Sequence, residues 1–365
     1  MNLRAIPALA LAAALLMGGV SASASAREPD LSCKAGVLMD ADSGRLLWQR
    51  LPDEPMAIAS TTKIMTALTA LEQCGLDDEV TVDPAWTGVE GSSMYLAPGQ
   101  TLTVEQLLYG LMLASGNDAA VALACTAAGS VEDFAALMND AAQRLGCANT
   151  HFVNPNGLDE PGHYASARDL ALITRAALAD GDLRRIVSPR PYKIGERTFV
   201  NHNRLLWECE GVFGVKTGYT SAAGRTLVTA CEREGVTLIC VTLSDPDDWD
   251  DHRDLYDWAY DLYDRSDVLA GRAWSVPVMG GEQPEVRVTA PEGLWVLHRG
   301  GEPIRVEYRL PAFLYAEVAA GQVCGEAAAF LNGVEVARTA LVCAEDVAQT
   351  QEEPSVWDKL LALLG

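Results

Sequence analysis

Positive charge is what this chain has least of. Against fifty aspartates and glutamates stand twenty-seven lysines and arginines, a formal net charge of −23 over 365 residues. A surface that acidic repels phosphate backbones and anionic headgroups, so nucleic acid is not expected as a partner. Histidine is scarce as well, with five in the chain, and no His-Glu-x-x-His string occurs. Zinc-peptidase chemistry of that kind is therefore not expected. Nine cysteines are present, an odd number, but no Cys-x-x-Cys spacing. That argues against a local zinc site, and no metal or other cofactor is expected. There is no long internal repeat. The one conspicuous apolar run, from Ile6 to Val20, is too short for a membrane span.

That run has another reading. Arg4 precedes it and Ala24-Ser25-Ala26 follows it as a small-x-small cleavage site. Residues 1–26 thus read as a secretory signal peptide, with the mature chain beginning near Arg27 and acting outside the cytoplasm. No cysteine lies in the segment, so lipoprotein processing is not expected. In an exported chain cysteines can pair. Cys324 and Cys343, flanking a strand pair, are the first couple to consider; many of the others suit small core positions.

The apolar fraction of 49% suffices for a true core, and the length suits two domains. Residues 36–39 and 46–49 flank Asp-Ala-Asp-Ser-Gly, a hairpin signal. Helical spacing covers 60–73, then 104–128 with a break at Ser-Gly-Asn, then 131–145 and 167–179. Strand character returns over 215–219, 225–231 and 236–243, followed by a helix at 254–263. Strands, helices, strands and a helix in this order predict an α+β domain over 27–270: one antiparallel sheet flanked by helices, with a helical lobe inserted between its strands. Beyond residue 270 short alternating runs separated by Gly and Pro predict a small all-β sandwich over 271–345. Residues 346–365 read as a polar linker and a short amphipathic tail. Trp357, Leu360, Leu361 and Leu364 share one face of that tail, which suits peripheral, reversible membrane contact.

Three strings carry chemistry. Ser60-Thr61-Thr62-Lys63 places a lysine one helical turn after a serine. A serine hydroxyl is a weak nucleophile until a base takes its proton, and Lys63 can be that base if burial and a second cation depress its pKa. Ser115-Gly116-Asn117 supplies a hydroxyl that can relay a proton and an amide that can hold a substrate amide. Lys216-Thr217-Gly218-Tyr219, on a predicted strand, supplies a lysine and a hydroxyl for a carboxylate. Gly218 leaves room for a peptide along the strand edge. The backbone N–H groups of Ser60 and Tyr219 would form an oxyanion hole. Each string alone is a commonplace: a helix cap, a turn, a strand end. Their order, at a helix start, an inter-helix loop and a strand, unites them. His163 and His202 fit no metal spacing and read as structural residues.

The set, in this order, is the one found in penicillin-binding proteins and serine β-lactamases. The segments from Ala57 to Leu68, from Asn154 to Asp169 and from Gly214 to Gly224 resemble the low-molecular-mass penicillin-binding proteins that act as D-alanyl-D-alanine carboxypeptidases, the S11 serine peptidases. The likeness extends over about residues 33–345. It implies an acyl-enzyme on Ser60, with Lys63 its base and Ser115, Asn117, Lys216 and Thr217 completing the site. It implies a peptidoglycan stem pentapeptide ending in D-Ala-D-Ala as substrate, and β-lactams as inhibitors. Family members also use an arginine after the last sheet strand to hold the substrate carboxylate, and Arg253 is the candidate on that ground. A DD-endopeptidase uses the same residues. A serine β-lactamase fits less well, since no glutamate followed four positions on by asparagine lies near 150–165. A non-catalytic penicillin-binding wall protein would need a damaged site, and this one is intact.

Overall fold

The computed structural model describes residues 27–350 and, before them, only the two-residue strand Ala14–Leu15. The signal segment and the tail bearing Trp357 to Leu364 otherwise lie outside the described residues. Two compact units divide the chain, one ending at Leu262 and the other running on from Tyr263. The expected junction at 270 falls eight residues later. What moves it is Tyr263–Asp267, a strand that pairs with Trp295–Arg299 and so belongs with the second unit.

The first unit opens with β1 (Ala35–Asp40) and β2 (Leu46–Arg50). Every residue of β1 is buried, which is why it reads as a continuous apolar run rather than an alternation. Its hairpin turns on Asp40, whose carboxylate accepts the N–H groups of Asp42 and Ser43, and on Gly44 at φ +75°. A 3-10 turn over Ala59–Thr62 leads into α1 (Lys63–Gln73). Two strand pairs follow on the helical side: β3 (Glu79–Thr81) with β4 (Thr101–Thr103), and later β5 (Pro191–Ile194) with β6 (Arg197–Val200). Between them come α2 (Val104–Leu113), α3 (Asn117–Ala128), α4 (Val131–Arg144), α5 (Ala167–Ala179) and α6 (Gly181–Val187). The short α7 (Leu205–Glu208) precedes β7 (Val212–Thr220), β8 (Gly224–Arg233) and β9 (Val236–Leu243), and α8 (Asp248–Leu262) closes the unit. The sheet order is β2-β1-β9-β8-β7, antiparallel throughout.

Local chemistry sets the helix starts. Thr103 and Gln106 form a capping box on α2, and Ser130 and Ser166 accept the third N–H of α4 and α5. Helix α6 departs from expectation: Gly181 does not merely end α5, because the Asp180 side chain caps a new helix there. Helix α8 begins six residues earlier than its apolar spacing suggests. Asp248, Asp250 and Asp251 occupy its first turn, where carboxylates complement the helix dipole. Its buried stripe of Asp248, Asp251, His252, Leu255, Tyr256 and Ala259 faces the sheet. His252 is clamped between Thr229 on β8 at 2.7 Å and Thr242 on β9 at 2.9 Å.

Helix α1 is the spine of the core. Ile64, Met65, Ala67 and Ala70 are fully buried among α2, α3, α4 and α5. Each large apolar side chain removed from water there contributes about 1.5–3 kcal/mol. Burial of Lys63 at the head of this helix is therefore a consequence of packing its neighbours.

The second unit comprises β10 (Tyr263–Asp267), β11 (Trp274–Met279), β12 (Glu285–Thr289), β13 (Trp295–Arg299), β14 (Ile304–Arg309), β15 (Leu314–Tyr315), β16 (Val323–Leu331) and β17 (Val334–Cys343). It is all-β, as the alternating runs predict. One sheet runs β14-β16-β17-β12-β11-β15, with Ala14–Leu15 at its β14 edge, and β10 pairs with β13. Val276, Val286, Val288, Val296 and Leu341 fill its core. Cys324 and Cys343 lie on adjacent strands as thiols; the Cys324 thiol donates to Leu341 O at 3.5 Å.

Candidate active site

Ser60 sits in the 3-10 turn before α1, half-buried, with Ala59 before it at φ +47°. Several bonds hold that strained turn. Thr62 Oγ1 donates to Ala59 O at 2.8 Å, and His163 Nε2 reaches Thr62 Oγ1 at 2.8 Å. Since His163 Nδ1 accepts the Val153 N–H, Nε2 carries the proton and donates. Burial pushes the His163 imidazolium down to about 4, so the ring is neutral. Thr226 Oγ1 on β8 donates to Ile58 O at 3.1 Å. Gly157, at φ +85°, lets the following loop approach: a Cβ there would lie 2.0 Å from Ala59 O. His163 is thus structural, as expected, and its task is to fix the serine turn.

Lys63 Nζ donates to Ser60 Oγ at 3.0 Å, to Asn117 Oδ1 at 2.7 Å and to Asn156 O at 2.6 Å. The side chain is fully buried. Its ammonium is pushed well below the usual lysine range, chiefly by burial, then by the charge of Lys216, with Asp118 opposing. Lys216, 1% exposed, is lowered to about 7 by burial and donates to Thr217 O at 2.8 Å. A depressed Lys63 suits a general base, whereas Lys216 keeps its charge only below about 7.

The break in the second helical run falls at Ala114-Ser115-Gly116, between α2 and α3, with Ser115 at φ +58°. This puts Ser115 on the cleft wall and Asn117 at the first position of α3. Asn117 Nδ2 donates to Glu90 O at 2.5 Å while its Oδ1 takes the lysine. Asp118, not singled out from the sequence, is the brace here. Its buried carboxylate accepts Ser93 Oγ and the N–H groups of Met94 and Leu96 at 2.6–2.9 Å, pinning the loop that brings Ser92 to the cleft.

Thr217, Gly218 and Tyr219 form the opposite wall of a cleft of about 330 Å³ that opens over Ser60 and Ser115. Gly218 faces Thr226 across the β7–β8 ladder. The structure therefore brings Ser60, Lys63, Ser115, Asn117, Lys216, Thr217, Gly218 and Tyr219 together. His202 also lines this cleft, where sequence spacing suggested only a structural residue.

Arg253 is not part of it. The buried stripe of α8 passes through Asp251 and His252, which turns Arg253 off that face to pair with Asp250 at the surface. The arginine that does line the cleft is Arg225, opposite Tyr219 on β8. Its Nε and Nη2 both donate to Asp248 Oδ1, at 3.1 and 2.7 Å, and it stacks over Trp249 at 5.3 Å. Asp248 is 2% exposed. The signal for Arg225 lay in the sequence, nine residues after Lys216. Reading it required knowing that Arg225 lies directly across the ladder from Tyr219.

Residues 22–247 match the family described as D-alanyl-D-alanine carboxypeptidase, peptidase S11, and residues 260–349 match the penicillin-binding protein 5 C-terminal domain. The chain belongs to the peptidase S11 family. Its similarity to two curated members runs over most of both chains. It is 34% identical to the D-alanyl-D-alanine carboxypeptidase DacC of Escherichia coli, covering 93% of this chain and 90% of that protein. With DacF of Bacillus subtilis, also named a D-alanyl-D-alanine carboxypeptidase, it shares 32% identity over 86% and 85%. Penicillin-binding protein 5 from Haemophilus influenzae superposes with a TM-score of 0.70 at 31% identity, over 89% of this chain and all of that one. The S11 fold is thus present in both its parts, and the antiparallel sheet with its inserted helices is the family's peptidase domain.

Proposed function

We propose that this S11 chain is a serine-type D-Ala-D-Ala carboxypeptidase acting on peptidoglycan stem peptides outside the cytoplasm, and that β-lactams acylate the same serine. The observation that carries the residue roles is the 3.0 Å contact between Lys63 Nζ and Ser60 Oγ inside a site that disfavours a charged lysine, since a neutral Nζ accepts the serine O–H. Neutral Lys63 takes the Ser60 proton as Oγ attacks the carbonyl between the two D-alanines. The oxyanion of the tetrahedral intermediate faces the N–H groups of Ser60 and Tyr219. The C–N bond then breaks, the departing amine takes a proton through Ser115, and an ester remains on Ser60. Water attacks that ester with Lys63 again the base bonded to the serine oxygen, releasing the shortened peptide as an acid.

Asn117 is fixed at both ends of its amide and would hold the substrate's backbone amide. For the terminal carboxylate the reading assigns Lys216, Thr217 and Arg225. Arg225 replaces Arg253 because it lines the cleft beside Tyr219, whereas Arg253 does not.

The test is D-alanine release from diacetyl-L-Lys-D-Ala-D-Ala by the purified mature chain and by Ser60→Ala, with fluorescent penicillin labelling of both. Release and labelling by the wild type that both vanish in the variant are expected. Labelling without release would overturn the carboxypeptidase reading in favour of another acyl acceptor. Loss of neither in Ser60→Ala would overturn the assignment of the nucleophile.

A further inference from the structure

Away from the catalytic cleft, three potential ligand atoms converge at the head of the first strand. Cys33 Sγ and one carboxylate oxygen each from Asp245 and Asp251 all lie within 4.8 Å of one another, and all three residues are buried. Two features set this cluster apart from an ordinary acidic patch. Asp245 is 0% exposed, and its Oδ2 is one of the few buried polar side-chain atoms among the described residues with no hydrogen-bond partner. Leaving a carboxylate oxygen buried without a donor is costly, and a cation held between Asp245 and Asp251 would remove that cost. In addition, the hydrogen bonds around the cluster orient the carboxylates without using that oxygen. Asp251 Oδ2 accepts Ser32 N, Ser32 Oγ and Cys33 N, at 2.6, 3.1 and 3.3 Å, while Asp245 Oδ1 accepts Ser32 Oγ at 2.7 Å.

We infer that Cys33, Asp245 and Asp251 form a binding site for one divalent cation, zinc by its donor set. One sulfur with carboxylate oxygens matches a metal of borderline softness, where calcium or magnesium would want oxygen alone. Three protein ligands leave a fourth tetrahedral position for water. The local charge agrees. Arg50, the cation beside Cys33, spends Nη1 on Leu31 O and Cys33 O at 2.7 and 3.0 Å and, among the described residues, forms no ion pair with Asp245 or Asp251. Metal binding would displace the proton of the Cys33 thiol.

The site has a purpose in the fold. It ties Ser32 and Cys33 to the segment between β9 and α8, which carries Asp248 and Trp249 into the cleft. The Asp245 N–H donates to Arg225 O at 3.0 Å. A cation at Asp245 and Asp251 would stiffen both flanks of the residue that positions the Arg225 guanidinium. The site is structural, so its existence does not depend on which peptide the enzyme cleaves.

The experiment uses the mature full-length chain, stripped with chelator and dialysed. Zinc is titrated by calorimetry and cobalt(II) by absorption spectroscopy. One equivalent of zinc per chain is expected, with proton release. Cobalt is expected to give a near-ultraviolet thiolate charge-transfer band. Cys33→Ser should abolish that band, and Asp245→Asn should weaken zinc at least about tenfold. A Cys209→Ser/Cys231→Ser variant should retain both signals, since those thiols lie elsewhere in the fold. Absence of stoichiometric zinc binding to the wild type would overturn the inference. So would a thiolate band that survives Cys33→Ser. An Asp245→Asn variant with a raised melting temperature and no wild-type response to zinc would show instead a carboxyl pair sharing a proton.

Discussion

A methyl group placed on Gly218 would stand 3.0 Å from Ser60 N and 2.4 Å from Thr226 Oγ1. The strand that carries Gly218 and the turn that carries Ser60 are thus in contact through a residue with no side chain. Gly218→Ala must push β7 away from the serine turn. Overpacking of that kind costs about 1–3 kcal/mol. The greater loss is expected in catalysis, because the two oxyanion donors separate. Penicillin acylation should slow more than the melting temperature accounts for. Unchanged acylation in a stable Gly218→Ala protein would show that the contact does not set the donor geometry.

Lys63→Arg imposes a permanent charge and removes the base, since a guanidinium does not deprotonate. Acylation should fall by about 10²–10⁴, the range general-base catalysis covers. Lys63→Met should be equally inactive and less stable by about 1–3 kcal/mol, because it leaves Asn117 Oδ1 and Asn156 O buried without their donor. Single-turnover acylation and thermal melts of the two variants check both statements. Retained acylation in Lys63→Arg would place the base elsewhere.

The two lysines give opposite limbs of a pH profile. Below the depressed pKa of Lys63 the base becomes protonated and kcat/KM falls. Above about 7 Lys216 loses the proton it needs to hold a carboxylate, and kcat/KM falls again. Stability follows its own sign. In the unfolded chain Lys216 stays protonated up to the ordinary 10.5, whereas the folded chain releases that proton near 7. The unfolded state therefore binds more protons in that window, and this group's contribution to stability rises as pH rises through it. Lys216→Met should raise the melting temperature most below pH 7, with the gain fading towards pH 10.5. A gain independent of pH would mean that Lys216 is not neutralised on folding.

Arg225→Ala should lower kcat/KM for D-alanine release about ten- to hundredfold, the worth of a hydrogen bond to a charged group. The effect should appear for peptide substrates with a free carboxylate and shrink for the same peptide amidated. Arg253→Ala, whose partner is the exposed Asp250, should change little. If Arg253→Ala is the damaging variant, the carboxylate site lies at the start of α8 instead.

Much of the site was legible because it is built from local strings. Ser60 and Lys63 are three residues apart, and one helical turn brings them together whatever the rest of the chain does. Ser115 to Asn117 announced a break in a helix, and the break is there. Lys216 to Tyr219 sat in a β-rich run that is β7. Arg253 was the miss, and its cause is specific. Distance along the chain from the last strand says nothing about which face of α8 a residue occupies, and that face is decided by His252 clamped between Thr229 and Thr242. Asp118 was invisible for a related reason, since its three loop partners lie 22 to 25 residues upstream.

The order of elements, the two-domain composition and the meeting of Ser60 with Lys63 were determined by sequence alone, because periodicity and short spacings encode contacts within one turn or one hairpin. Only the tertiary structure decided which arginine faces the cleft, which carboxylate braces the loop beside it, and that Cys33 meets Asp245 and Asp251. Those contacts join residues some twenty to more than two hundred positions apart. They exist because burying the apolar faces of the sheet and helices fixes where every polar group on those elements must point.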